Sequence, residues 1–261
     1  MDITELRIIG KRLREEISPL IWRFQGAAPI GRGASGDKTY PIDKLAEEII
    51  LEEIEKFKEP VTAVSEEYGF KDIRGGGARL LIDPIDGSKN ALSGLPFFST
   101  SIAVVEGNTL KYSSIGYVIN LINGDEYWAI RGVGSFFNGR LIRTQQDDDF
   151  RIIAYEAQTP RIDIPKIMPL LSLFKRTRCL GSTALDMALL SQGVISVFVT
   201  PSPSRSFDFA AGYLLIKEAG GIVTDLKGRE LDNVQIGIEK VSPLLASANK
   251  RLHERAVRVL H

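Results

Sequence analysis

The run Leu80-Leu81-Ile82 passes directly into Asp83-Pro84-Ile85-Asp86-Gly87-Ser88, so a short apolar strand delivers two carboxylates, a glycine and a hydroxyl at its end. Such a segment makes a poor core, because a buried carboxylate is unfavourable unless it is paired or bound to a cation. It makes a good site for metal and phosphate. Two more acidic features, Ser65-Glu66-Glu67 upstream and Phe207-Asp208 far downstream, extend the candidate ligand set. Hard divalent cations take carboxylates, carbonyls and water, so these oxygen ligands point to Mg²⁺ rather than zinc.

Composition removes several alternatives. A chain of 261 residues can bury a sizeable core, as one large unit or as two closely joined halves. Its single cysteine, Cys179, excludes an intramolecular disulfide and a cysteine-rich metal centre, and reads as a small buried hydrophobe. Only His253 and His261 offer imidazoles, and both lie on a charged terminal helix. Lys and Arg number 33, as do Asp and Glu, so the formal charge is zero and a nucleic-acid groove has no electrostatic support. The cluster Lys175-Arg176-Arg178 reads as a solvated face. The N-terminus mixes charged with apolar residues, unlike a signal peptide, and no run is long enough to span a bilayer. A soluble cytoplasmic protein without nucleic-acid or membrane partners is expected.

Helical spacing of Ile3, Leu6, Ile9, Leu13, Ile17, Leu20 and Phe24 predicts one long amphipathic first helix capped by Asp2. A polar stretch from Gly31 to Lys38 leads to a second helix with Asp43 in its first turn. Val61 to Val64 predicts a strand ending at Ser65-Glu66-Glu67, and Leu80 to Ile82 a strand ending at Asp83 with a turn at Pro84. Both acidic groups then sit at strand ends, where a sheet can aim them. From Ser99 to Ile142, β-rich runs separated by Gly107-Asn108, Asn123-Gly124 and Asn138-Gly139 predict an antiparallel meander. After Thr144 the pattern alternates strands and helices. The chain therefore divides into an N-terminal α+β half, 1–143, carrying most of the acidic set, and a C-terminal α/β half, 144–261, supplying Asp208 and substrate-side residues.

Phosphate monoesters resist attack because their oxygens repel a nucleophile and their alkoxide leaves poorly; divalent cations address both difficulties. Gly87 permits close backbone approach, and Ser88 can begin a helix whose free N–H groups face a phosphate. The same residues, taken alone, also fit an ordinary turn with a capping serine. Glu67 suits a direct ligand or a supporting acid equally. Asp186, four residues after Ser182 on a predicted helix, suits a capping partner or an acceptor for a substrate hydroxyl.

Taken together, Asp83-Pro84-Ile85-Asp86-Gly87-Ser88, Ser65-Glu66-Glu67 and Phe207-Asp208-Phe209-Ala210-Ala211-Gly212 resemble the inositol monophosphatase family. That family belongs to the lithium-sensitive, Mg²⁺-dependent phosphatase superfamily that also holds fructose-1,6-bisphosphatases. The resemblance covers nearly the whole chain, through Gly36-Asp37-Lys38-Thr39 leading to Asp43, Gly181-Ser182-Thr183-Ala184-Leu185-Asp186 and Glu218-Ala219-Gly220-Gly221. It is closest to small archaeal-type members acting on both fructose 1,6-bisphosphate and inositol 1-phosphate. The resemblance implies an α+β fold layered as an αβαβα sandwich, a homodimer, and two or three Mg²⁺ ions with Mn²⁺ as a substitute. It assigns Glu66, Asp83, the Ile85 carbonyl, Asp86 and Asp208 to the metals. It assigns Asp43, Ser88 and Glu66 to catalysis, with Asp43 and Ser88 orienting the attacking water. The Gly87 and Ser88 backbone would receive phosphate, with Thr183 and Asp186 on the substrate side.

The departures bear on substrate. Ser88 stands where threonine is common, and Phe207 where tryptophan is common; neither removes the needed chemistry. Inositol-selective relatives place a glutamate several residues before the distal aspartate, where this chain reads Pro201-Ser202-Pro203-Ser204-Arg205. A strict inositol preference is therefore not expected, and Arg205 becomes the candidate for the distal phosphate of a small sugar bisphosphate, against a rival role bracing its own loop. The alternatives are a 3′-phosphoadenosine 5′-phosphate phosphatase, which needs a slot to stack adenine, and a catalytically silent regulatory homologue, which the full carboxylate set disfavours.

Overall fold

The computed structural model describes residues 1–261. Its first helix, Ile3–Ile17, is started by Asp2, whose side chain accepts the Glu5 N–H while Glu5 accepts that of Asp2. The single long helix expected to Phe24 is interrupted. Pro19 has no N–H to continue the ladder, and a 3₁₀ turn at Ser18–Leu20 and a separate helical turn at Ile21–Phe24 follow.

The larger sheet has eight strands, and the expected meander forms most of it. Ser99–Val105, Ser113–Asn120, Glu126–Ile130, Gly134–Phe137 and Arg140–Ile142 pair antiparallel in succession. On the other flank Ala78–Asp86 lies antiparallel to Ser99–Val105 and parallel to Val61–Ser65, and the hairpin strand Gly69–Ile73 closes the edge. The smaller sheet orders Arg176–Arg178, Ile152–Tyr155, Val197–Arg205, Lys240–Ser247 and Ile222–Thr224.

Alternation along the strands separates the cores. Leu80 and Ile82 enter the apolar layer under Ile3–Ile17 and Pro41–Lys56, whereas Leu81 enters the layer between the sheets. That middle layer holds the helices Thr183–Ser191 and Ser206–Glu218. Beyond the smaller sheet, Pro160–Leu171 and Lys250–Leu260 cover its outer face. The order helix, sheet, helix, sheet, helix is the sandwich that the sequence resemblance implies. Residues 143 and 144 fall between the sheets, and the middle core joins Val64, Leu81 and Val118 to Phe198, Phe207 and Leu244. The two halves are thus packed as one unit.

Phe136 stacks on Trp128 with centroids 4.0 Å apart, and Phe137 lies 4.8 Å from Tyr127; both phenylalanines are half-buried. His253 is buried between the Thr224 and Ser247 hydroxyls, at 3.0 and 3.1 Å, and burial holds its pKa down to about 4. No helix is long and apolar enough to cross a membrane.

Candidate active site

Parallel register places Ser65 beside Ile82, so the next residues, Glu66 and Asp83, are brought to the same end of the sheet. Burial, then the neighbouring carboxylates, lifts both carboxyls well above their usual range.

The strand does not end at Asp83. It continues through Pro84 to Asp86, with a break in register against Ser99–Val105 between Asp83 and Asp86. Residues three apart on a regular strand face opposite sides, whereas a bulge returns them to the same side. Ile85 accordingly sits in the outer core, although Leu81, of the same parity, sits in the middle one. Proline is tolerated because the bulge asks no ladder N–H of it.

Asp86 turns toward the helix Thr183–Ser191. Its Oδ1 accepts the Thr183 N–H at 3.2 Å, and its Oδ2 accepts the Ala184 N–H at 2.7 Å and the Ser182 hydroxyl. These bonds partly oppose burial, which pushes Asp86 up to about 6. Asp43 and Asp208 share a second device. Each is the third residue of its helix and accepts the capping backbone N–H through one oxygen: Tyr40 to Asp43 Oδ2 at 2.9 Å, and Arg205 to Asp208 Oδ2 at 2.8 Å. The other oxygen of Asp43 accepts the Ser88 hydroxyl at 2.6 Å, which also lies 2.8 Å from the Ile85 carbonyl. One hydrogen serves only one of these acceptors at a time. Burial raises Asp43 to about 6 and Asp208 to about 7.

Gly87 has φ 94° and opens the short helix Ser88–Ser93. A Cβ there would meet the Gly181 carbonyl at 3.0 Å and the Phe97 carbonyl at 3.1 Å, so the turn demands glycine. Asn90 ties the same turn to the second half, donating to the Phe97 and Leu180 carbonyls at 2.7 and 2.6 Å.

A cavity of about 510 Å³ gathers Glu66, Asp83, Ile85, Asp86, Gly87, Ser88, Thr183 and Asp208 on one lining. The donor set fits Mg²⁺. It contains only oxygen, its carboxylates are crowded enough to resist ionisation, and Asp83 Oδ1 is buried with no hydrogen-bond partner. No three acidic or imidazole side chains form a ready cage for one ion, and Mg²⁺ needs none, since it commonly uses one or two carboxylates with water and substrate phosphate.

The remaining candidates lie as follows. Asp186 is fully buried behind the wall, with both carboxylate oxygens unpartnered, and does not line the cavity. Its position one turn into Thr183–Ser191 points it into the packed layer, so the expected substrate contact is replaced by a place behind the site. Glu67 accepts the Thr39 hydroxyl and supports the hairpin Gly31–Arg32/Lys38–Thr39. Arg205 lines the cavity, yet its guanidinium donates to Asp37 at 2.6 Å, the Ser35 carbonyl at 2.9 Å and the Ile238 carbonyl at 3.1 Å. It ends a strand, Val197–Arg205, rather than a loop. Cys179 is exposed rather than buried.

The lining also holds Lys38, Tyr40, Lys89, Glu156 and Gln158, which the sequence reasoning did not single out. Glu156 directly follows the strand Ile152–Tyr155, the same strand-then-acid signal that marked Glu66. Lys89 is the residue after Ser88 and carried no separate signal.

The sequence profile of the inositol monophosphatase family matches residues 2–261. A fructose-1,6-bisphosphatase/inositol-1-monophosphatase of Methanothermobacter thermautotrophicus is 31% identical, covering 97% of this chain and 94% of that protein. A bifunctional NADP phosphatase/NAD kinase of Methanococcus maripaludis is 31% identical, over 98% of this chain and 49% of that protein. The crystal structure of an inositol monophosphatase-fructose 1,6 bisphosphatase superposes with a TM-score of 0.87 at 28% identity, covering 99% of this chain and 100% of that one.

Proposed function

The chain belongs to the inositol monophosphatase family, and from this we propose that it is a Mg²⁺-dependent phosphomonoesterase hydrolysing fructose 1,6-bisphosphate and inositol 1-phosphate. The observation that carries this reading is the meeting of Glu66, Asp83, Asp86 and Asp208 in one cavity beside the Gly87-Ser88 turn. Relatives named for both activities support the substrate pair.

Glu66, Asp83, Asp86, Asp208 and the Ile85 carbonyl are the groups that would hold two or three Mg²⁺ ions, with Mn²⁺ as a substitute. When bound, the ions supply a lowered pKa for the attacking water and positive charge beside the leaving oxygen. The chain itself positions the reactants. The first N–H groups of Ser88–Ser93 have no intrahelical acceptor and receive the phosphate oxygens. The Ser88 hydroxyl, between Asp43 Oδ1 and the Ile85 carbonyl, aligns the water for in-line attack. The attacking water gives its proton to the Ser88 oxygen as the Ser88 hydroxyl proton passes to Asp43 Oδ1, whose carboxyl burial raises to about 6; Glu66 adds a second proton-accepting carboxylate. A homodimer rests on the family resemblance, and Phe136 and Phe137, half-buried and stacked on Trp128 and Tyr127, keep part of their rings at the surface.

One relative's name favours a second reading, NADP dephosphorylation. Against nucleotides stands the lining, where Tyr40 is the one aromatic residue and its ring is covered by the Lys89 ammonium at 4.6 Å. The test is phosphate release, at several Mg²⁺ concentrations, from fructose 1,6-bisphosphate, inositol 1-phosphate, 3′-phosphoadenosine 5′-phosphate and NADP⁺. The first two are expected to be preferred; preference for NADP⁺ would install the second reading.

A further inference from the structure

The cavity lining carries three cationic side chains, Lys38, Lys89 and Arg205, and they are not equivalent. Arg205 is spent on Asp37 and on two carbonyls, with its side chain 10% exposed. Its donors fasten the Gly31–Thr39 hairpin to the end of Val197–Arg205, so it builds the wall. Lys38 rides on that hairpin and Lys89 projects from the helix Ser88–Ser93; neither pairs with a carboxylate, and the Lys89 ammonium rests on Tyr40, bonded to its hydroxyl.

The lining also holds an acid outside the candidate metal-ligand set, Glu156. Glu156 spends one oxygen on the Gly181 N–H at 2.8 Å, and burial, then Asp86, lifts its carboxyl to about 7; the buried Asp186 is lifted by burial and then by Glu156 and Asp86. Glu156 and Asp186 offer a second phosphate no cation. The lysine side offers two ammonium groups in no salt bridge, with Asp37 beside Lys38 in the lining and Asp43 within the field of Lys89; such point charges suit an anion whose position varies between sugar phosphates. We propose that Lys89, assisted by Lys38, forms the subsite for a second phosphate on the alcohol portion of the substrate. This inference rests on the phosphomonoesterase reading.

The experiment compares kcat/KM for fructose 1,6-bisphosphate and inositol 1-phosphate in wild type, Lys89→Met and Arg205→Lys. Lys89 is exposed, so its replacement leaves the core intact, which circular dichroism checks. Lys89→Met should lower the bisphosphate-to-monophosphate ratio about tenfold or more, the scale of a lost hydrogen bond to a charged group. Raising ionic strength should shrink that effect by screening. Arg205→Lys should lower both substrates by a similar factor, keeping the ratio. A ratio within about twofold of wild type in Lys89→Met would overturn the subsite, whether both rates fall together or neither does. So would a selective loss of the bisphosphate in Arg205→Lys alone, or a wild type that hydrolyses only the monophosphate. A wild type that hydrolyses neither substrate removes the phosphomonoesterase reading, and the subsite with it.

Discussion

Asp83→Asn is expected to abolish nearly all phosphate release while making the metal-free protein harder to melt. The two effects have one cause. Asp83 is buried, its Oδ1 has no hydrogen-bond partner, and its carboxyl is raised by burial and then by Glu66, Asp86 and Asp208. A neutral amide of the same shape relieves that repulsion, so thermal unfolding in a chelator should move up by a few degrees, at ~2–4 °C per kcal/mol for chains near this size. The same amide coordinates Mg²⁺ poorly. Losing a group that only supports a ligand costs roughly 10–100-fold, and losing a ligand should exceed that. Asp86→Asn should lose activity without the gain in stability. Its two oxygens accept N–H groups from Thr183 and Ala184, and an amide must turn an N–H toward one of these donors, at about 1–3 kcal/mol for a buried unsatisfied group. Turnover of Asp83→Asn near the wild-type rate at ample Mg²⁺ would remove Asp83 from the ligand set, and a lower melting point in chelator would contradict the crowding argument.

Mg²⁺ should raise the melting temperature of the chelated protein on the order of 10 °C when present at about a thousand times its Kd, which corresponds to ~4 kcal/mol of linkage. At one fixed Mg²⁺ concentration the rise should be larger at pH 8 than at pH 6. Folded Asp43 and Asp86 are raised to about 6 and Asp208 to about 7, whereas unfolded aspartate titrates near 3.9. Between these values the folded state holds protons that the unfolded state has lost, so the stability of the chelated protein falls as pH rises. Mg²⁺ must displace those protons, and fewer remain at pH 8. His253 acts in the opposite sense, since its folded pKa is lowered to about 4 and its contribution grows as pH rises from there toward 6.5. It is present with and without metal, so it cancels from the Mg²⁺-induced shift. Calorimetry at the two pH values, with chelator or with Mg²⁺, checks this; an equal shift at both would contradict proton competition for the carboxylates.

What the sequence disclosed of this site was local. Ser65-Glu66 and Ile82-Asp83 each pair an apolar strand with an acid, and parallel register alone brings them together. Asp43 could be put in the first turn of its helix because Pro41 starts it. The bulge at Pro84 was not legible, because it is defined by register against Ser99–Val105, a partner that no neighbouring residue announces. The extension of Val197–Arg205 through Pro201 and Pro203 was hidden in the same way, its pairing with Lys240–Ser247 becoming irregular where the prolines fall. Arg205 lies three residues before Asp208 and lines the same cavity, but its partners Asp37 and Ser35 lie in the other half of the chain. Long-range satisfaction of a charged group leaves no trace in spacing. Glu156 and Lys89 come from different halves of the chain, and only the closed sandwich brings them to one cavity.

The carboxylate cavity should release phosphate only with divalent cations in place. The most direct test strips the protein with a chelator and follows inorganic phosphate from inositol 1-phosphate as Mg²⁺ is restored, with Asp83→Asn alongside. Release should be absent in chelator, return with Mg²⁺ in the wild type, and stay at least about a hundredfold lower in Asp83→Asn. Release that is undiminished in chelator, or equal in the two proteins at saturating Mg²⁺, would contradict the account.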